Sequence, residues 1–117
     1  MGQKGGNLFA GIAEHMPQEI FETLLETDNF RIERIVSQGQ STPKGTWLEQ
    51  KQDEWVLLLR GAAILFFKSD KSTLNMKPGN HVHIPANCKH RVEWTDQNTK
   101  TVWLAVHCEK QRIAGSG

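Results

Sequence analysis

Two ionisable residues, Glu54 and His90, lie on segments whose apolar neighbours direct them toward the protein interior. Glu54 shares one face of an extended segment with Val56 and Leu58, and His90 shares a face with Val92. A glutamate inside an apolar core is costly unless it is hydrogen-bonded, paired with a charge or bound to a metal. These two side chains could therefore form a polar pair in a metal-free pocket or contribute to a metal site.

Further donors matter because a divalent transition metal needs three or four O or N ligands from different strands. Glu49 could supply a second carboxylate, since it alternates with Trp47 on one face of its segment. His83 could supply a second imidazole, but the alternation favours Val82 and Ile84 inside, and only a one-residue change of register would reverse this. The candidate metal ligands are Glu54, His90, Glu49 and His83.

The tryptophans beside these positions are candidates for pocket walls. Trp47 and Trp94 share faces with Glu49 and His90, while Arg60 follows the phase of Glu54 and could pair with a ligand carboxylate or cap its strand. The candidate ligand-binding residues are Trp47, Glu49, Glu54, Arg60, His90 and Trp94. Trp55 and Trp103 fall out of phase with their neighbours, so one of them is expected on an outer partner surface, which favours a homodimer.

Other chemistries find little support in the sequence. Cys88 and Cys108 are too few for a disulfide framework or a zinc ribbon, and we interpret both as structural or incidental. His15 and His107 have no partner pattern and are treated as incidental. No nucleophile elbow, phosphate-binding loop or dinucleotide fingerprint is present.

The elements that must position these residues are mostly short strands. Residues 17–26 carry apolar residues on one helical face and open with a proline, so we predict about two turns of helix or an irregular equivalent there. From residue 30 to residue 107 the chain shows seven or eight alternating apolar segments separated by turn residues. Short strands at this spacing are typical of an all-β sandwich or small barrel.

Length and charge limit the function classes. The chain has 117 residues, about one domain, with a formal net charge of +1 and 38% hydrophobic residues. The balanced charge argues against nucleic acid or a membrane surface as a partner. No apolar stretch is long enough to span a bilayer, and no secretory signal is evident, so we expect a cytoplasmic protein.

Two segments resemble the paired motifs of the cupin superfamily. EWVLLLRG (54–61) is similar to the second half of the first motif, and PGNHVHIPANCKHRV (78–92) is similar to the second motif. The resemblance implies a double-stranded β-helix, or jelly-roll barrel, that is often dimeric and holds a small molecule or a metal such as Fe, Mn, Zn or Ni. It places Glu54 and His90 at ligand positions. We predict an N-terminal arm over residues 1–28, the barrel over 29–110 and a flexible tail over 111–117.

The first motif departs from the family pattern at the His-x-His pair that precedes its glutamate. One spacing puts Trp47 and Glu49 at those two positions, and a spacing shorter by one residue puts Leu48 and Gln50 there. Asn87 replaces a usual glycine in the second motif, which is tolerable because asparagine enters left-handed backbone conformations readily.

Three functions are consistent with this pattern. The first is a cupin with an interior small-molecule pocket, with a divalent metal as an open question. The second is a metal-dependent dioxygenase, isomerase or lyase acting on a small metabolite. The third is a metal-free barrel that acts through oligomerisation. The fold alone does not choose among them, and whether the protein is an enzyme stays open.

Overall fold

The computed structural model describes residues 2–109, so the predicted tail over 111–117 lies outside the described residues. Its eight strands are β1 (Ile20–Glu26), β2 (Phe30–Ser37), β3 (Asp53–Arg60), β4 (Ala63–Phe67), β5 (Ser72–Met76), β6 (His81–Ile84), β7 (His90–Thr95) and β8 (Thr101–Cys108). No helix in this part of the chain is long and apolar enough to cross a membrane. The prediction of an all-β protein is confirmed.

The strands form two antiparallel sheets. The larger sheet has the order β1-β2-β8-β3-β6, and the smaller sheet has the order β5-β4-β7. Both sheets contribute to one apolar core, and each core residue is 5% exposed or less. Its members are Val56, Leu58, Ala63, Leu65, Met76, Ile84, Trp103 and Ala105.

The helix predicted over residues 17–26 is wrong, because residues 20–26 form strand β1 and pair with β2. The pairing shifts register between Thr23 and Leu25, so Leu24 is an extra residue that interrupts the period-2 alternation. That interruption makes the apolar spacing look helical. The larger sheet therefore begins at Ile20, within the segment predicted to be an arm.

The chain between β2 and β3 closes one side of the space between the sheets. Leu48 and His90 exchange backbone hydrogen bonds of 2.7 and 3.0 Å, and the Thr42 N–H donates to the Val92 carbonyl at 2.9 Å. Thr42 and Leu48 thus bond to β7 at its first residues, and a turn closed by the hydrogen bond from the Thr46 N–H to the Pro43 carbonyl separates these two contacts. This pairing fixes which side chains of the segment face inward.

Candidate functional site

A cavity of about 300 Å³ opens between the sheets and is lined mainly by apolar side chains with a small polar group. The apolar members include Ile35, Val56, Leu65, Ile84, Val92 and Trp103. The ionisable and amide members are Glu19, Glu33, Gln50, Glu54, His90 and His107. Such a mixture of apolar wall and convergent polar groups is the usual composition of a small-molecule site.

Strand pairing brings the polar residues together from distant parts of the sequence. Glu54 on β3 lies directly opposite His107 on β8, and β8 also pairs with β2, which carries Glu33. His90 begins β7 in the smaller sheet and faces Glu54 across the cavity, with 3.8 Å between the His90 Nε2 and Glu54 Oε1 atoms. Four strands from two sheets therefore build one cluster.

Glu54 lies at the centre of this cluster and is only 7% exposed. Its second carboxylate oxygen is 3.6 Å from the His107 Nε2 atom. Burial raises the pKa of the Glu54 carboxyl, although the nearby imidazoles of His107 and His90 oppose the shift, as does a hydrogen bond with Gln50. The negative charge of the Glu33 carboxylate also raises the pKa of Glu54.

His90 is 4% exposed and is held in one tautomer by its own loop. Its Nδ1 atom is 2.9 Å from the Cys88 carbonyl oxygen. A carbonyl can only accept, so Nδ1 carries the proton and a neutral His90 presents a bare Nε2 toward Glu54. His90 can therefore accept a proton or a hydrogen bond inside the cavity.

His107 is held by a different contact. Its Nε2 atom lies 2.8 Å from Glu33 Oε1, and the Arg31 Nε atom lies 3.6 Å from the other Glu33 oxygen. Because an ionised carboxylate only accepts, the His107 Nε2 atom bears the proton in this hydrogen bond. Among the described residues, the buried His107 Nδ1 and Trp103 Nε1 atoms find no hydrogen-bond partner.

The donor set in this arrangement does not fit a metal ion. Within residues 2–109, no group of three or more His, Cys, Asp or Glu side chains is arranged to hold one. The His107 Nε2 atom is shared with Glu33 in this geometry, which leaves Glu54 and His90 facing each other as the potential ligands. Two ligands fall short of the three or four that a transition metal requires.

Of the residues predicted from sequence, Glu54 and His90 line the cavity, whereas Glu49 and His83 do not. The Leu48–His90 pairing turns Leu48 and Gln50 to the cavity and leaves Glu49 exposed, so the shorter of the two motif spacings is the one adopted. His83 has a side chain 59% exposed that lies 3.4 Å from Asp53. Ile84 is buried instead, as the alternation in β6 favours.

Two β-bulges explain the placement of Trp94 and Arg60 outside the cavity lining. In β7, the partners shift between Val92 and Trp94, so Glu93 is an extra residue and Trp94 turns outward, 43% exposed. In β3, the shift between Leu58 and Arg60 likewise reverses the direction of Arg60. The Arg60 guanidinium lies 4.5 Å from the ring centre of Phe9.

Trp47 also lies away from the cavity lining, and it belongs to an aromatic and basic cluster. Its ring centre is 5.8 Å from that of Phe66, and the Lys68 and Arg91 side chains approach its ring. Of the two out-of-phase tryptophans, Trp103 is 3% exposed and lines the cavity. Trp55 lies on the opposite face of β3 from Glu54, against the His81 ring.

Sequence reasoning missed Glu33 and His107. The interpretation of His107 as a residue without a partner is wrong, because His107 is 2% exposed and its ring contacts Glu33. The available signal was that His107 shares its phase with Trp103 and Ala105 on β8. The other face of β8 carries the more apolar residues Val102, Leu104 and Val106, which made that face look like the buried one. In the structure β8 buries residues on both faces.

Comparisons with solved structures agree with this architecture. A protein from Ralstonia eutropha JMP134, named as a candidate mannose-6-phosphate isomerase, is 48% identical, covers 92% of this chain and 99% of its own, and superposes with a TM-score of 0.88. A cupin superfamily protein from Desulfitobacterium hafniense DCB-2 is 19% identical over 94% of this chain and 95% of its own, with a TM-score of 0.73.

A cupin from Methanocaldococcus jannaschii with a double-stranded β-helix fold is 21% identical over 84% of this chain and 86% of its own, with a TM-score of 0.65. No family model and no curated protein matches the chain. The fold, the two motifs and these neighbours define a small barrel built as a double-stranded β-helix. The fold of this chain is therefore the one seen in proteins of the cupin superfamily.

Proposed function

We propose that this cupin binds a small metabolite in its interior cavity and moves a proton on it, with Glu54 as the acid–base group. The observation that carries the proposal is the position of Glu54, which is buried in the cavity with an imidazole on either side. Burial raises the pKa of the Glu54 carboxyl, so its carboxylate is a stronger base than an exposed one and is better suited to accept a proton and return it. Perturbed carboxyl groups in clefts are frequent at functional sites.

An aldose–ketose isomerisation fits this arrangement. The relative from Ralstonia eutropha that is 48% identical carries the name of a sugar isomerase. In such a reaction the Glu54 carboxylate would remove the proton from the carbon beside the carbonyl and return it to the carbonyl carbon, while a hydroxyl proton moves between the two oxygens. The atoms balance without any oxidant, reductant or second substrate.

A metal-dependent reaction at the same cavity is the competing hypothesis, with Fe, Mn, Zn or Ni as the ion. Its weakness is the hydrogen bond between His107 and Glu33, because this bond removes a nitrogen that the ion would need. The proposal therefore assigns no step to a metal. Protein purified without an affinity tag should contain far less than one equivalent of any transition metal.

The test is exchange of the carbon-bound proton in D₂O, followed by NMR for a panel of free aldoses and their phosphate esters. We expect exchange with at least one probe, and a loss of about 100-fold or more in Glu54→Gln, because general acid–base groups contribute on that order. Glu49→Gln is the matched control, since Glu49 is exposed and does not line the cavity.

The outcomes separate the hypotheses. Exchange that survives chelation and disappears in Glu54→Gln supports the proposal. Exchange that is lost on chelation and restored by one equivalent of metal would show the metal-dependent alternative to be correct. No exchange with any probe by folded protein contradicts the proposed proton transfer.

A further inference from the structure

We propose that the cavity selects an uncharged, hydroxyl-rich molecule, a free sugar or polyol, and rejects the phosphorylated form of the same molecule. The inference rests on the proposed function, because it names the substrate class of the same site. It differs from the substrate in the name of the relative from Ralstonia eutropha, which is a sugar phosphate.

The charge of the lining carries the first part of the inference. Three of the described lining residues are glutamates, namely Glu19, Glu33 and Glu54, and none is a lysine or an arginine. Phosphate sites usually place arginine, lysine or a row of backbone N–H groups on the anion. A dianionic ester in this cavity would face three glutamates, and the imidazoles of His90 and His107 would be the only lining groups able to carry a compensating positive charge.

Arg31 lies beside the cluster and forms a long ion pair with Glu33, although its Nε atom makes no hydrogen bond within the described residues. Its Nε atom lies 3.6 Å from Glu33 Oε2, and Glu33 also accepts the hydrogen bond from His107. Arg31 does not line the cavity. Moving it toward a phosphate would break this pair and leave Glu33 with less compensation in a mostly buried position.

The hydrogen-bonding capacity of the cavity carries the second part. Glu54 and the bare Nε2 atom of His90 accept, so they suit ligand hydroxyl groups that donate. The Trp103 Nε1 donor is buried without a partner in the described residues, and a ligand oxygen could satisfy it. Hydroxyl groups both donate and accept, so a polyol can serve both kinds of atom.

Size and wall chemistry agree with a molecule of sugar size. The cavity of about 300 Å³ is at the small end of the range for ligand pockets. Trp103, Ile35 and Val92 give it apolar walls that can pack on the C–H faces of a ring. Phe21 and Leu48, which are 58% and 39% exposed, make its outer lining apolar as well.

The experiment is calorimetric titration of the protein with matched pairs, namely mannose, glucose, xylose and ribose against their phosphate esters, at constant ionic strength. We expect at least one free sugar to bind about 10-fold or more tightly than its ester, a difference of about 1.4 kcal/mol. Leu48→Arg, which adds a cation at an exposed lining position, should narrow that ratio by strengthening binding of the ester.

Each result decides something about either the substrate class or the function. Tighter binding of the esters overturns this inference. It leaves the proposed proton transfer intact, because that is tested separately by proton exchange in wild type and Glu54→Gln. Tighter binding of a free sugar without proton exchange supports the selectivity and contradicts the proposed reaction. Failure of every free sugar to bind, with the protein folded by circular dichroism, overturns the inference.

Discussion

At the scale of single residues, Glu54 is a buried ionisable group that costs stability. A carboxylate that is 7% exposed loses most of its hydration, and two imidazoles and one amide only partly replace it. A core selected for stability alone would place an apolar residue or an uncharged amide there. Sites that oppose local stability in this way are frequently retained for function.

We therefore predict that Glu54→Gln stabilises the protein at neutral and higher pH, by about 1 kcal/mol. Because the pKa of folded Glu54 is raised, the folded state holds its proton over a pH range where the unfolded state has lost it. Its contribution to stability is complete below the ordinary glutamate pKa and is lost as the pH rises through the raised value. Glutamine does not titrate, so it escapes that loss.

The measurement is chemical unfolding of wild type and Glu54→Gln between about pH 4 and pH 8. The difference in unfolding free energy should grow with pH and nearly vanish at the acid end. Glu49→Gln, at an exposed glutamate, should show no comparable trend. A destabilised Glu54→Gln variant at about pH 8 would contradict the view that burial dominates the pKa of Glu54.

At the scale of elements, β-bulges decide which sequence-based predictions hold. The alternation of β3 and β7 correctly placed Glu54 and His90 inside, because both residues lie before the bulges in their strands. Arg60 and Trp94 lie after the bulges and face the other way. A single inserted residue reverses the direction of all later side chains, and local sequence carries little signal for such an insertion.

The polar cluster in the cavity also shows how far sequence-based prediction reaches. Glu54 and His90 could be found because each lies in a motif, whereas Glu33 and His107 contact each other across 74 residues of sequence. Their proximity depends on the order β2-β8-β3 in the larger sheet, which alternation within one strand does not specify. The sequence predicted the fold and half of the polar cluster, and strand order determined the rest.

The turn between β3 and β4 contains the motif glycine Gly61, and its geometry requires glycine. Its φ is +90°, and an added Cβ atom would lie 2.4 Å from the Thr101 Oγ1 atom on β8. We predict that Gly61→Ala lowers the unfolding free energy by about 3 kcal/mol, from backbone strain and the contact with β8 together. Thermal unfolding should show this as a fall in Tm of about 10 °C.

Gly79→Ala is the matched control for that variant. Gly79 has a φ of +93°, but an added Cβ atom there meets no other heavy atom within 4 Å. Gly79→Ala should lose only about 1 kcal/mol of unfolding free energy, which is the cost of placing alanine in a left-handed conformation. Equal losses in the two variants would mean that the contact with Thr101 contributes nothing.

At the scale of the whole molecule, the larger sheet ends in an apolar edge. Within residues 2–109, β1 pairs with β2 alone, so its other edge has no strand partner. Phe21, Leu24 and Leu25 on this strand are 58%, 48% and 50% exposed. Long exposed edge strands with apolar side chains tend to associate, and monomeric proteins usually protect them with charge or proline.

We predict that the protein is a homodimer that buries the β1 edge against a second copy. Wild type should therefore sediment at about twice its chain mass of 13.3 kDa at micromolar concentration. Leu24→Lys combined with Leu25→Lys should shift the population to monomer, because two lysines at the edge oppose pairing. Trp94→Lys, at an exposed aromatic residue on the smaller sheet, should remain dimeric. A monomeric wild type contradicts the dimer, and a dimer lost only in Trp94→Lys moves the interface to the other sheet.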